Sequence, residues 1–102
     1  MEITVIIVQI EHPVANFTMW KAAFDSDPIN RRASGVRRYR ILRPVDDPNY
    51  VAVDLEFDNR RQAEAFRGAL EAMWRTPHAI GAMGDGAIPQ ARVVEASNNV
   101  EL

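Results

Sequence analysis

The sequence has no cysteine among its 102 residues and only two histidines. Without cysteine the chain cannot form disulfides, thiolate metal sites or a cysteine nucleophile, and two histidines cannot complete the usual zinc ligand sets unaided. We therefore expect no metal site and a cytoplasmic location. The apolar N-terminal stretch is bracketed by Glu2 and Glu11 and has no basic leader, so the pattern predicts neither a signal peptide nor a membrane span.

An excess of positive charge is also missing, because twelve basic residues face fourteen acidic ones and the net charge is -2. This balance provides no general attraction to phosphate backbones, so we expect no nucleic-acid partner. Half of the basic residues do fall between Arg31 and Arg43, with Tyr39 among them, and a nucleic-acid binder could use such a cluster. Four acids close by argue against that use: Asp46, Asp47, Asp54 and Glu56.

The residues that are present alternate between strand-like and helix-like segments and fill one domain, residues 1–102. Asn16 and Asp58 stand where the N-caps of the two helices are expected. The predicted elements are a strand at Ile3–Ile10, a helix from Phe17 to about Asp27, strands at Val36–Arg43 and Tyr50–Phe57, a helix ending near Arg75, a strand at Ala91–Ala96, and a tail at 97–102 that is either frayed or docked on a partner.

Charge alternation predicts the pairing of the second and third strands. If Arg40 lies opposite Asp54 in an antiparallel hairpin, Arg38 lies opposite Glu56, and both opposite-charge pairs share one face. These pairs predict a structural role for the four side chains. The other face then collects the aromatic and aliphatic residues Tyr39, Ile41, Val51, Val53, Leu55 and Phe57.

The element order βαββαβ predicts an α+β fold of the ferredoxin-like type, with a four-stranded antiparallel sheet and both helices on one face. The first strand carries aliphatic residues on both of its faces, so covering only the helix side would leave several of them in water. Each is worth about 1.5 to 3 kcal/mol when buried. Face-to-face packing of two sheets in a homodimer would cover them. The alternative is a sheet with one face uncovered, on which the aliphatic side chains of the first strand stay exposed to water.

The chain resembles the dimeric α/β-barrel superfamily, in particular small proteins grouped with antibiotic biosynthesis monooxygenases and polyketide cyclases. The resemblance covers nearly the whole chain and rests on ITVIIVQI, FTMWKAAF, YRILRPVDDPNYVAVDLEF and AEAFRGALEAMW. It implies a homodimer whose sheets meet face to face, with a ligand cavity between each sheet and its helices. In the haem-degrading branch an Asn, a Trp and a His serve the site. Gln9, Trp74 and His78 do not match that spacing, so no haem role is carried over and no cofactor is expected.

Six side chains are candidates for a site in such a cavity. His78 follows the second helix and could exchange protons near neutral pH, and Tyr39 would need a partner for its hydroxyl on the helix side of the sheet. These two are the predicted catalytic residues. The predicted substrate-binding residues are the flat walls Trp20 and Trp74, His12 at a strand end, and Arg37, whose parity with Tyr39 aims it toward the helices. For each of them, core packing or solvent exposure is the competing interpretation.

Two functional classes fit this pattern. The first is a homodimeric small-molecule protein acting on an aromatic or polyketide-like compound, as a cofactor-independent monooxygenase or cyclase. The substrate's own activated carbon would then react, while the protein supplies shape, dryness and proton transfer. The second is a non-catalytic ligand-binding or interaction module of the same fold, in which aromatic side chains fill the space between sheet and helices.

Overall fold

A computed structural model describes residues 5–76 and 89–102. One antiparallel sheet has the strand order β2-β3-β1-β4 and carries both helices on one face, where they share a single core with it. The predicted ferredoxin-like fold is thereby confirmed. The elements are β1 (Ile6–Pro13), α1 (Phe17–Asp25), β2 (Val36–Leu42), β3 (Tyr50–Phe57), α2 (Arg60–Trp74) and β4 (Gln90–Glu95).

Strand β1 lies in the middle of the sheet and alternates strictly between its two faces. Ile6, Val8, Ile10 and His12 are all buried on the helix side. The sequence predicted that this strand ends at Ile10. In the structure it continues to Pro13, because pairing with β3 extends to that residue. These three additional residues continue the alternation, so the His12 imidazole is buried on the same side of the sheet as the core residues of β1.

The predicted register of the β2–β3 hairpin is confirmed. Arg40 is the partner of Asp54, with Nη2 and Oδ2 3.2 Å apart, and Arg38 is the partner of Glu56, with Nε and Oε1 3.7 Å apart. A register shift between Val36 and Arg38 breaks the regular alternation at the start of β2. This bulge changes which way the residue between them can point.

Both helices begin at an asparagine. Asn16 Oδ1 accepts a hydrogen bond from Met19 N at 3.0 Å, as expected, and Asn59 Oδ1 accepts one from Gln62 N at 2.9 Å. The expectation that Asp58 caps α2 is therefore wrong. Asp58 instead accepts a hydrogen bond from Arg37 Nε at 2.7 Å. Asn59 accepts from a free amide in the first turn of α2.

The sheet face away from the helices is mixed in character. Ile7 and Val5 are half-buried there, but Gln9 and Glu11 share this face of β1. The surplus of aliphatic surface on this face is therefore smaller than the sequence suggested, and Ile3, which contributed to it, lies outside the described residues. No helix in the described part of the chain is long and apolar enough to cross a membrane.

Candidate functional site

A cavity of about 470 Å³ lies between the sheet and the two helices. Its volume falls within the range of small-molecule sites, about 300 to 1,000 Å³. Its floor comes from inward-facing residues of β1 and β3, and its sides come from α1, α2 and the segment after α1. Most of the lining residues are apolar: Ile10, Trp20, Ala23, Phe24, Pro28, Ile29, Val53, Leu55, Phe66, Leu70, Met73 and Trp74.

A row of aromatic rings runs along α1 beside this cavity. Phe17, Trp20 and Phe24 are spaced three and four residues apart, so they share one face of the helix. The Trp20 ring centroid lies 5.8 Å from that of Phe17 and 5.2 Å from that of Phe24. The row ends in arginines, with Arg43 over Phe17 and Arg31 over Phe24, each guanidinium carbon 3.9 Å from the ring centroid. Trp20 and Phe24 line the cavity and give it a flat, polarisable wall, whereas Phe17 and Arg43 are not among the lining residues.

His12 brings a titratable group to the cavity wall. It is only 3% exposed, and its ring meets Trp20 edge-on at 6.0 Å between centroids. Its Nδ1 donates a hydrogen bond to Pro13 O at 2.9 Å, and since a carbonyl oxygen can only accept, this bond places the proton on Nδ1. Burial lowers the pKa of His12 below its ordinary value of 6.5, against the smaller raising effect of the Pro13 hydrogen bond.

The other ring nitrogen of His12 is therefore a base at neutral pH. Nε2 has no hydrogen-bond partner among the described residues, and no unpartnered side-chain nitrogen or oxygen in that part of the chain is fully buried. Nε2 is therefore not fully enclosed, and because His12 lines the cavity it is the ring nitrogen left to accept a proton from a bound molecule. A neutral imidazole with one unpartnered nitrogen at the wall of an apolar cavity is the arrangement that a general base requires.

The segment after α1 supplies the charged part of the wall. Asp27 and Asn30 both have positive φ, 53° and 57°, and Asn30 N donates a hydrogen bond to Asp27 O at 3.0 Å. Asp27 Oδ1 accepts a hydrogen bond from Arg31 N at 2.9 Å, and Arg31 Nη1 donates one to Phe24 O at 2.7 Å. Both Asp27 and Arg31 line the cavity. Sequence reasoning did not select either residue for a site, because left-handed turns at Asp and Asn leave little trace in the sequence.

The structure brings half of the predicted site residues to this cavity. His12, Trp20 and Trp74 line it. Tyr39 does not: it is 44% exposed and packs edge-on against Phe24, with 5.1 Å between ring centroids. Arg37 does not line the cavity either: it is exposed and paired with Asp58. The bulge in β2 interrupts the parity with Tyr39, and the substrate-binding role of Arg37 stays a prediction.

One predicted residue, His78, lies outside the described residues, and its catalytic role stays a prediction. Within residues 5–76 and 89–102 no group of three or more His, Asp or Glu side chains could hold a metal ion. On the part of the cavity wall that the structure describes, the side chains available for chemistry are His12, Arg31, Asp27 and two hydroxyls. Both hydroxyls already donate hydrogen bonds to backbone carbonyls. Ser26 Oγ donates to Ala23 O at 2.6 Å, and Thr76 Oγ1 donates to Met73 O at 2.7 Å.

The fold and the site define a ferredoxin-like domain with a ligand-sized, aromatic-walled cavity. No protein-family model matches the sequence, and no curated protein matches it. Among solved structures, the chain is similar to a dimeric ferredoxin-like protein from an uncultured marine organism, at 12% identity over 95% of this chain and 99% of the other, with a TM-score of 0.65. It is also similar to SnoaB, a cofactor-independent oxygenase from Streptomyces nogalater, at 16% identity over 97% and 98% of the two chains, with a TM-score of 0.64.

A third similar structure is a provisionally assigned antibiotic biosynthesis monooxygenase from Nitrosomonas europaea. It is 21% identical over 90% of each chain, with a TM-score of 0.56. At these identities the likeness establishes a shared fold. It agrees with the fold that the sequence resemblance implied.

Proposed function

We propose that this chain forms a homodimer and that each subunit binds a flat aromatic or polyketide-like molecule in its cavity and converts it without a cofactor, as a monooxygenase or a cyclase. The observation that carries the proposal is the neutral His12 base at the wall of an apolar cavity. A cavity of about 470 Å³ also counts against the form of the non-catalytic alternative in which Trp20, Phe24, Phe66 and Trp74 fill this space, and a non-catalytic ligand-binding module is then the remaining rival.

The cavity wall suits a flat, largely apolar ligand. Trp20 and Phe24 offer aromatic surface for ring contacts from α1, and Trp74 with Leu70 contributes apolar surface from α2. Offset stacking and edge contacts between rings are worth about 0.5 to 1.5 kcal/mol each beyond the burial of apolar area. A planar ring system is thereby favoured over a flexible chain of similar size, which would lose more conformational freedom on binding.

His12 can start the chemistry by removing one proton from the ligand. For a methylene group held between two aryl rings and conjugated through them with a ketone, as in an anthrone, transfer of the proton to Nε2 leaves a carbanion whose charge is delocalised onto the ketone oxygen as an enolate. This carbanion reduces dioxygen by one electron, and the two radicals combine into a hydroperoxide once a proton returns. Loss of water then leaves a carbonyl, so one oxygen atom enters the product and the other leaves as water. In the cyclase case the same carbanion attacks a carbonyl of the ligand instead.

Two of the comparisons support parts of this proposal. SnoaB is a cofactor-independent oxygenase of the same fold, and the marine protein is a dimeric one. In this chain the sheet face away from the helices is available for a second copy. Its Arg40 is 72% exposed in the single chain while Asp54 is 17% exposed, so a partner sheet would chiefly cover the arginine. Sedimentation equilibrium tests the homodimer, and a single-subunit mass at high concentration contradicts it.

Oxygen uptake with anthrone tests the reaction, because anthrone carries a methylene between two aryl rings. We expect uptake above the rate without protein, with anthraquinone as the product. His12→Asn keeps a hydrogen-bond donor for Pro13 O but removes the base, so uptake should fall by about 100-fold or more. Tyr50→Phe is the matched control, since it removes a hydroxyl that bonds Glu11 outside the cavity.

The outcomes of this assay separate the alternatives. Unchanged uptake in His12→Asn removes His12 from the mechanism, and unchanged uptake in His78→Ala removes His78. Saturable binding of anthrone with no uptake or cyclised product favours the non-catalytic module over the enzyme.

A further inference from the structure

We propose that Arg31 determines ligand specificity by receiving an anionic substituent, so that the ligand is a flat apolar body with a carboxylate or sulfonate at one edge. This inference rests on the proposed function, because it assumes that the cavity holds a small molecule. It assigns a role in ligand recognition to a residue that takes no part in the proton transfer to His12.

The charge on the cavity wall is concentrated at one place. Of the lining residues that the structure describes, only Arg31 and Asp27 carry a formal charge, and both belong to the segment after α1. His12 is the remaining titratable group of the described wall and is neutral at pH 7, because burial lowers its pKa. On the part of the wall that the structure describes, a ligand anion would therefore find one cation, at the Phe24 end of the aromatic row.

The guanidinium of Arg31 is held in place before any ligand arrives. Its carbon lies 3.9 Å from the centroid of the Phe24 ring and 5.0 Å from that of Tyr39, and Nη1 donates to Phe24 O at 2.7 Å. The side chain is only 15% exposed. An arginine immobilised between two rings loses little further freedom when it binds an anion, which is the condition for a specific carboxylate contact.

Several N–H groups of Arg31 remain open. Its side chain makes no second hydrogen bond within the described residues, and no unpartnered nitrogen there is fully buried, so the remaining donors keep accessible surface. A guanidinium presents five donors in a planar fork that fits a carboxylate with two parallel hydrogen bonds. The unpartnered donors are therefore sufficient in number for a bidentate contact.

Asp27 does not already occupy that position. The closest approach of the two charged groups, Nη1 to Oδ1, is 3.6 Å, which is too long for a hydrogen bond, and Oδ1 already accepts from Arg31 N. Asp27 holds the backbone turn and weakens the field of the guanidinium without filling its fork. Removing the charge of Asp27 should therefore strengthen anion binding, while removing the charge of Arg31 should weaken it.

The test compares two ligands of nearly the same shape, 2-naphthoate and the neutral 2-naphthamide, by isothermal titration calorimetry. Arg31→Gln should weaken naphthoate binding by about tenfold, the ratio expected for losing a charge-assisted hydrogen bond, and change naphthamide binding by less than about twofold. Arg31→Lys keeps the charge without the fork and should fall between the wild type and Arg31→Gln. The two indole N–H signals report on the site by NMR, because the only two tryptophans both line the cavity.

Two further variants sharpen the comparison. Asp27→Asn keeps the acceptor for Arg31 N and is tolerated at positive φ, and it should tighten naphthoate binding by about threefold with no change for naphthamide. Arg43→Gln is the matched control. It removes a guanidinium with the same 3.9 Å distance to a ring, that of Phe17, but Arg43 does not line the cavity, so both affinities should stay at the wild-type values.

The outcomes distinguish this inference from the proposed function. If both probes bind the wild type but Arg31→Gln and Asp27→Asn change the two affinities equally or not at all, the role of Arg31 is refuted and the ligand cavity stands. If neither probe nor anthrone binds the wild type, the proposed function is refuted and the inference falls with it. Should Arg31→Gln fail to fold, Asp27→Asn decides alone, since unchanged naphthoate affinity in that variant overturns the proposal.

Discussion

His12 offers the sharpest test of the physical reasoning, because its burial makes a prediction about stability that needs no ligand. In His12→Phe the ring still fills the space beside Trp20, but the donor to Pro13 O is lost. A net hydrogen bond contributes about 1 kcal/mol, and the greater apolarity of the new ring offsets part of that loss. At about pH 7.5 we therefore expect the free energy of unfolding to change by no more than about 1 kcal/mol.

Lowering the pH should then destabilise the wild type relative to the variant. The pKa of His12 is lowered in the folded state, so below its ordinary value of 6.5 the unfolded chain binds a proton that the folded chain does not. The wild type must lose stability as pH falls through 6.5 toward the lowered pKa, and His12→Phe has no such loss from this position. The difference in stability between them should shift in favour of the variant.

Urea denaturation at about pH 7.5 and about pH 5.5, followed by tryptophan fluorescence at one protein concentration, measures this shift. Every other titratable group is common to both proteins, so their effects cancel in the comparison. A difference that stays constant between the two pH values, or that moves in favour of the wild type, would refute the lowered pKa and with it the buried neutral imidazole.

Two stability predictions test the description of the fold. Asn59→Ala should lower the free energy of unfolding by about 1 kcal/mol through loss of the α2 cap, and Asp58→Ala should cost less; the reverse order by thermal melting would contradict the assignment of the cap. Gly35→Ala should destabilise by more than about 1 kcal/mol, because φ is 101° and the new Cβ would lie 2.7 Å from the Gln62 side chain. Relief of steric overlap by Gln62→Ala should recover only part of that loss, and full recovery would show that the backbone angle does not matter.

The hairpin register was predictable because two opposite-charge pairs and one apolar face agree on a single alignment. Shifting β2 by one residue would have separated Arg40 from Asp54 and turned the apolar side chains of β2 toward solvent. The same alternation carried the prediction of a two-sided sheet. Arg37 shares parity with Tyr39, but it lies near the start of β2 at the bulge after Val36, and it is exposed and paired with Asp58 there.

Only part of the candidate site could be predicted from the sequence. His12 could be selected from its position at a strand end, and the strict alternation from Ile6 onward explains its burial. Its tautomer depends on one backbone carbonyl, which no sequence pattern reveals. Arg31 was missed for a different reason, since its place at the cavity is set by positive φ angles at Asp27 and Asn30. Such angles are selected by local hydrogen bonds rather than by hydrophobic period.

The proton on His12 is the feature on which the proposed chemistry depends, and nitrogen-15 NMR of the two imidazole rings measures it directly. We predict that His12, assigned by the spectrum of His12→Asn, is neutral at pH 7 with the proton on Nδ1, and that 2-naphthol shifts the Nε2 signal by donating its hydroxyl to that nitrogen. A protonated Nε2 in the free protein, or a bound naphthol that leaves the Nε2 signal unmoved, would contradict the account.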